Sequence, residues 1–456
     1  MSFLLGEKIQ TKGISMEFFI AKNEFVKALF RVQNIIETKQ TAKPILADVL
    51  IEASPNHEVT LTATDLTVAM KAGYEANVIV PGSISVPYKK LFEIIKELPG
   101  ETVSLRKLDN SYLEIQCEKV DYRIAAHDSV EYPRFREIEG LRFIEFSDKT
   151  LVSMIEKVLF CTSTDENRPN LTGIFFQNSH HLPADFQAAE FQALLLAETL
   201  SDEERTFLTA SLEFDAEGKW SWTADYAKGE NQVRAHKLLR QAGLSRGLNM
   251  LRMVTSDTHR MAIAESAFNG EIIEDLIRGV IVPKKAFSEI RKLIDMSEEP
   301  IFLGFNQNEG IIRKGKASIS LRLIEGGFPD YRQIIPQQFS HQIDMPLREF
   351  QNALKRIMIM TTEQYKTIRF DFKGPALSIN MNNPLIGYAE EIVDLPKNSQ
   401  EFSVAFNGRY VMDGLQIIKD EGLVLDFENS MRPQVIRARE SSDFRYVVMP
   451  IMLDAY

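Results

Sequence analysis

A short alternating strand followed at once by an amphipathic helix is written three times along this chain, which points to one architectural unit used three times. The copies open with MEFFIAKNEFVKALFRV from Met16, RFIEFSDKTLVSMIEKVLF from Arg142 and QIDMPLREFQNALKRIM from Gln342. Phe18/Ile20, Ile144/Phe146 and Ile343/Met345 put two apolar side chains on one face of each strand. Phe25/Leu29/Val32, Leu151/Ile155/Val158 and Phe350/Leu354/Ile357 put three on one stripe of each helix, in the same register to the strand. A second phrase follows each first one: ISVPYKKLFEIIKEL from Ile84, VIVPKKAFSEIRKLI from Val280 and FSVAFNGRYVMDGLQII from Phe402.

The two helices of a copy start about 60 to 65 positions apart in the first and third copies but about 135 apart in the second, so the middle copy holds an insertion of roughly 70 residues. Its bounds fall near Asn178 and Leu248. Inside it, DFQAAEFQALLLAETL reads as a helix, SLEFDAEGKWSWTAD as a hairpin turning at Glu217-Gly218, and NQVRAHKLLRQAGL as a helix closed by Gly243. Alternating strands fill the space between the paired helices. The predicted fold is α+β: each domain is two strand–helix units with antiparallel sheet, helices covering one face only, in a chain long enough for about three domains. Six such units in series suit an arc with sheets outside and helices inside.

The whole chain is acidic, net −11, yet the charge is unevenly placed. The predicted helices, 22–39, 89–97, 149–160, 284–293, 348–356 and 408–419, hold about 18 Lys/Arg against about 8 Asp/Glu, leaving about −21 for the rest. Surface lysines on helices are common, but a cationic helix layer on an acidic body also suits a polyanion such as duplex DNA.

Catalytic signatures are missing from the sequence. There is neither GxxxxGK[ST] nor a strand-linked GxGxxG, and no Ser/His/Asp or Cys/His nucleophile pattern. Asp257 and His259 in TSDTHRMA suggest an acid–base or metal pair only weakly, because no further ligand stands at suitable spacing. His180-His181 reads as a solvated loop. Cys117 and Cys161 fall in separate copies without metal-ligand spacing, no apolar run approaches about 18 residues, and MSFLLGEKIQTKG lacks a signal-peptide core. These features predict a reduced, cytoplasmic binding protein with no cofactor and no membrane contact, preceded by a polar extension or an early start codon at residues 1–15.

The strings KPILADVLIEA, LTATDLTVAM, VPYKKLFEIIKELP, NRPNLTGIFF, SDTHRMA, GGFPDYRQIIP and YVVMPIML resemble the bacterial DNA polymerase III beta subunit, the sliding-clamp family. The resemblance implies the DNA clamp fold, with domains at 16–140, 141–338 (insertion at about 179–248) and 339–456, one chain forming half of a closed ring. It implies a non-catalytic processivity factor: a head-to-tail homodimer that encircles double-stranded DNA topologically, without regard to sequence. The replicative polymerase alpha subunit, the clamp loader and other proteins with a clamp-binding motif would be tethered to it.

Carried over to this chain, the family's DNA contacts fall on Gln40, Lys89 and the loop Asp165, Arg168, Pro169, Asn170. Gln40 stands where a cation is common and Asp165 adds a negative charge, which makes Lys39, Lys43 and Arg168 candidate substitutes. The implied partner-peptide groove comprises Leu171, Ser256, Thr258, His259, Arg260, Met261, Pro329, Gln333, Ile334, Tyr365, Asn407, Tyr410, Pro433, Val447, Met449, Pro450 and Ile451. An apolar floor would take hydrophobic anchors while a few polar groups fix the peptide backbone. The implied dimer contact sets Ile359 and Met360 against Tyr122 and Ile124 of a second copy.

Thr258 departs from the family's usual glycine, Met452 from a common basic residue, and Asp454-Ala455-Tyr456 overhangs the usual end. Two other readings are a diverged clamp relative serving repair or plasmid replication, and a metal-dependent hydrolase built on Asp257 and His259.

Overall fold

Phe18 and Ile20 are buried on one face of the strand Ile14–Ala21, and the chain passes directly into the helix Lys22–Val32, where Phe25, Ala28, Leu29 and Val32 are buried at helical spacing. The Phe18 and Phe25 rings meet edge to face at 6.5 Å, so strand and helix share one apolar layer. The same phrase builds the strand Phe143–Phe146 with the helix Asp148–Leu159, and His341–Pro346 with Leu347–Ile357. The computed structural model describes residues 14–36, 43–108, 111–182, 186–215, 220–223, 229–244, 248–268, 273, 275–294, 299–336, 339–395 and 401–452.

Chain contacts group into two compact units, Met1–Phe143 with Lys285–Arg322, and Ile144–Lys284 with Leu323–Tyr456. In the first, the helices Lys22–Val32 and Tyr88–Glu97 pack together beside a five-stranded antiparallel sheet. Its strands run in the order Asn77–Val80, Ile14–Ala21, Thr102–Leu108, Tyr112–Cys117, Val120–Ala125. A second sheet joins Gly82–Pro87, Asp48–Ser54, Glu58–Thr64 and Val68–Glu75 to Ala317–Arg322, Glu309–Lys314 and Ile301–Phe305. The junction is an antiparallel pairing in the register Ile319↔Met70. Sequence copies and compact units therefore divide the chain differently, because the later strands of the second copy complete a sheet begun in the first.

The second unit is built on an eight-stranded sheet in the order Val280–Pro283, Gly173–His181, Leu248–Ser256, Arg260–Phe268, Phe444–Val448, Gln434–Ala438, Gly422–Phe427, His341–Pro346. A four-stranded sheet runs Gly387–Asp394, Ala376–Asn383, Thr367–Lys373, Phe402–Asn407, and ends in the helix Gly408–Leu415. The first and last helices of the repeats stop earlier than their periodicity suggested, at Val32 and Leu415 rather than 39 and 419. At both ends a backbone N–H turns back to the carbonyl three residues earlier, Gln33 to Phe30 and Ile417 to Gly414, tightening the last turn out of the α-helix.

The insertion forms a small body around Phe186, Phe191, Leu208, Leu212, Leu238 and Leu239, with Trp220 and Trp222 packed against them. The strands Leu212–Phe214 and Trp220–Trp222 pair as expected, while Glu217 and Gly218 lie outside the described residues. Gly243, at φ +108°, closes the helix Gly229–Gln241. The stretch read as one long helix is shorter, Ala188–Leu195, and a further helix follows at Asp202–Ser211. The insertion grows from the far end of the hairpin Gly173–His181 and Leu248–Ser256, whose nine-residue strands set it on the order of 27 Å from Ser256.

Candidate functional site

The turn Asp257–Thr258–His259 joins two central strands of the second unit's large sheet, and most of the expected groove residues gather around it. Asp257 fastens the turn: its Oδ1 accepts the N–H groups of His259 and Arg260, each at 3.0 Å, and its Oδ2 accepts from Arg260 Nε at 2.9 Å. Arg260 also donates through Nη1 to Asp413 at 2.6 Å and to the Tyr446 hydroxyl at 3.4 Å, with its guanidinium 4.4 Å over the Tyr410 ring. Burial works against this cation, but Tyr446, Asp413 and Asp257 outweigh it and hold its pKa above the ordinary arginine value. The His259 ring lies along Tyr410, centroids 6.0 Å apart, giving two stacked rings on a clamped arginine.

The carboxyl-terminal segment is tied to the same turn. The Met449 N–H donates to the His259 carbonyl at 2.9 Å and that of Ile451 to Ala405 at 2.7 Å, which lays Met449, Pro450 and Ile451 half-buried beside the turn. The Tyr446 hydroxyl donates to the Tyr410 carbonyl at 2.8 Å. Gly414 makes room for the Tyr446 ring, which a Cβ there would meet at 2.2 Å. Asn407 caps the helix Gly408–Leu415 by accepting the Arg409 N–H at 3.1 Å, and Tyr365 sits just before Thr367, the partner of Asn407 in the sheet.

On the neighbouring strands Met261 pairs with Val447, and Val447 with Val435; all three belong to a buried cluster with Tyr331, against which Ile334 packs. Val447, only 1% exposed, is floor and core at once. Pro329 and Gln333 are exposed on the segment leading through Tyr331, and Pro433 precedes Gln434, which pairs with Val448. Leu171 is buried at the end of the short turn Pro169–Leu171, whose Asn170 Nδ2 donates to the Gly327 carbonyl at 2.9 Å. Ser256 Oγ donates to the Arg260 carbonyl at 2.9 Å and serves the turn itself.

Sequence reasoning missed Asp413, Tyr446 and Phe160, whose ring centre lies 5.5 Å from the guanidinium, as supports of Arg260, since they come from elements far apart in the chain. Asp257 it noticed for the wrong reason. Both of its oxygens hold the turn and Arg260, and among the described residues no group of three or more His, Cys, Asp or Glu is placed to hold a metal. Cys161 lies close by, and burial first, with Asp257 adding to it, pushes its thiol pKa up and keeps it unreactive.

Thr258 has φ +77°, a left-handed conformation that a β-branched residue adopts only under strain of about 1–2 kcal/mol. Replacement by glycine relieves this and loses a little in the unfolded chain, so Thr258→Gly is expected to raise stability by about 0.5–1 kcal/mol. The check is the urea midpoint, with Thr258→Ala, which keeps the Cβ, showing little gain.

The other expected contacts are more scattered. Lys39 and Gln40 lie outside the described residues; Lys89 is exposed on the helix Tyr88–Glu97. Asp165 accepts the Asn167 N–H at 3.0 Å and faces Arg168 at 3.5 Å, so the two charges largely offset each other, while Asn170 is spent on Gly327. The six helices as they fold carry about 16 Lys/Arg against about 8 Asp/Glu, which keeps their cationic surplus. Tyr122 and Ile124 occupy the outer strand Val120–Ala125, and Ile359, 76% exposed, and Met360 occupy the turn Met358–Met360 after the helix Leu347–Ile357.

The chain matches three family models in order: DNA polymerase III beta subunit, N-terminal domain at residues 16–136, central domain at 235–330 and C-terminal domain at 332–452. The beta sliding clamp of Vibrio cholerae is 22% identical over 444 residues, covering 96% of this chain and all of that protein. That of Caulobacter vibrioides is 25% identical over 439 residues, with the same shares covered. The crystal structure of the Caulobacter crescentus beta sliding clamp superposes with a TM-score of 0.77 at 23% identity, covering 96% of this chain and all of that one.

Proposed function

This chain belongs to the DNA polymerase III beta subunit family and is a DNA sliding clamp, and we propose that two copies close head to tail around duplex DNA while the Asp257–His259 site holds partner peptides. The observation that carries the reading is the succession of the family's three domains along this one chain. We take these domains to run over 16–140, 141–338 and 339–456. Supporting the closure, two sheets end in strands with exposed apolar residues: Val120–Ala125 with Tyr122, and Gly387–Asp394 with Tyr388 and Ile392. An open edge of this kind favours pairing with another chain, and two different edges that pair with each other make a head-to-tail contact.

The helices' cationic surplus, Lys89 included, attracts phosphates without reading bases, and the acidic remainder discourages DNA elsewhere on the surface. The protein does no chemistry of its own; it keeps the replicative polymerase on its template and serves the clamp loader and other motif-bearing proteins in turn. Its place of work is the cytoplasm, where a chromosome-bound replication protein meets its template.

The groove reading has a direct test. Met449, Pro450 and Ile451 offer apolar contact beside the Tyr410 and His259 rings, a surface suited to leucine and phenylalanine anchors. Tyr410→Ala with His259→Ala should weaken a short hydrophobic polymerase-tail peptide by about 2 kcal/mol, roughly thirtyfold, in calorimetry. Unchanged affinity in a folded variant would rule the site out.

A further inference from the structure

The turn that carries Thr258 is built a second time, in the first unit. Leu66 has φ +73° against +77° at Thr258. The Leu66 N–H donates to Thr64 Oγ1 at 3.0 Å, as that of Thr258 does to Ser256 Oγ at 3.2 Å. Asp65 Oδ1 accepts from the N–H groups of Thr67 at 2.8 Å and Val68 at 2.7 Å, as Asp257 Oδ1 does from His259 and Arg260. The segment Tyr132-Pro133-Arg134-Phe135-Arg136 repeats Phe328-Pro329-Asp330-Tyr331-Arg332. The strand Ala317–Arg322 lies beside Val68–Glu75 as Phe444–Val448 lies beside Arg260–Phe268.

Three elements that build the candidate groove thus recur together, and here they line a cavity of about 590 Å³, within the usual range for ligand sites. Two substitutions change its character. Tyr331 is 4% exposed and fills its core, whereas Phe135 stays half-buried and lines the cavity. Arg134, an exposed cation, stands where the other copy has Asp330, and the lining also holds Lys43, Arg136 and Arg322 with Glu309 as its one acid. Arg136 and Glu309 pair at 2.8 Å. Leu66 is held in a conformation costly for leucine and yet is 51% exposed, so its apolar surface contributes little to folding.

We propose that this cavity is a second peptide-docking groove, taking an extended acidic segment of a partner protein that sets an apolar side chain against Leu66, Phe135 and Leu321 and its carboxylates near Arg134. A phosphate backbone would use the cations but has no need of an apolar recess. The inference rests on reading the Asp257–His259 site as a peptide groove.

The experiment titrates the full chain with a fluorescein-labelled peptide carrying two leucines among Asp and Glu, and with its Asn/Gln counterpart. Two sites per chain are expected for the acidic peptide, one of them salt-sensitive. Arg134→Glu with Arg136→Glu, both exposed positions, should weaken that site by about tenfold or more, and Leu66→Asp should do the same. Tyr410→Ala with His259→Ala should remove only the other. Binding confined to the Tyr410 site would overturn the second groove and leave the first standing; no binding at either would overturn both. A duplex oligonucleotide that loses affinity in the Arg134/Arg136 variant while the acidic peptide does not would also overturn it, in favour of a nucleic-acid contact.

Discussion

Replacing Ile359 and Met360 together with aspartate should turn the proposed dimer into monomers, read as a halved mass in sedimentation at micromolar concentration. Ile359 projects from a fixed turn, since Asn383 Nδ2 donates to the Met360 carbonyl at 2.7 Å. Leu385, Ile386, Tyr388 and Ile392 are exposed in the same part of the chain, so the turn and the edge strand present an apolar surface that water disfavours. Closing the contact over two carboxylates without partners costs several kcal/mol, enough to raise the dissociation constant by about a thousandfold. The fold should survive, because the substituted side chains are not core. Tyr122→Asp at the other edge should act in the same direction, and a double variant that stayed dimeric would show the interface to lie elsewhere.

The repeat was legible because burial imposes it locally: the same two strand positions and the same helical stripe are apolar in each copy, and each is buried in the structure. Pairing between copies was not. Nothing local in ASISLR announces that it will lie against VAMKAGYE some 250 residues earlier, since strand partners are chosen by packing over the whole chain. The helix Asp202–Ser211 could have been found from Ser201 and Glu204, whose side chains form a reciprocal cap, but its weak apolar stripe hid it behind its neighbour.

At the site, the family strings led to the turn Asp257–His259, and composition alone would not have. What stayed hidden was the support: Arg260 reaches Asp413 and Tyr446, more than 150 residues away, and such contacts leave no spacing to read. Leu171 and Tyr365 were grouped with the others by resemblance, since they come from segments about 85 and 110 residues from the turn. Lys39, Gln40 and the Asp454–Tyr456 overhang lie outside the described residues.

Retention on circular DNA tests the sliding-clamp mechanism most directly. A diffuse cationic surplus with no base-reading element gives weak, salt-sensitive, sequence-indifferent affinity for linear duplex. Retention on a closed circle depends instead on an interface opening, so protein loaded by a clamp loader onto nicked circular DNA should stay bound through gel filtration in moderate salt. Lys89→Ala should lower affinity for linear duplex and loading efficiency yet leave the lifetime on circles nearly unchanged. Cutting the circle once with a restriction enzyme should release the protein, lowering the amount retained by about tenfold or more, because no binding energy comparable to the dimer's then holds it. Protein that remained on the DNA after linearisation, or that preferred one sequence, would contradict topological retention and mark this chain as an ordinary DNA-binding protein.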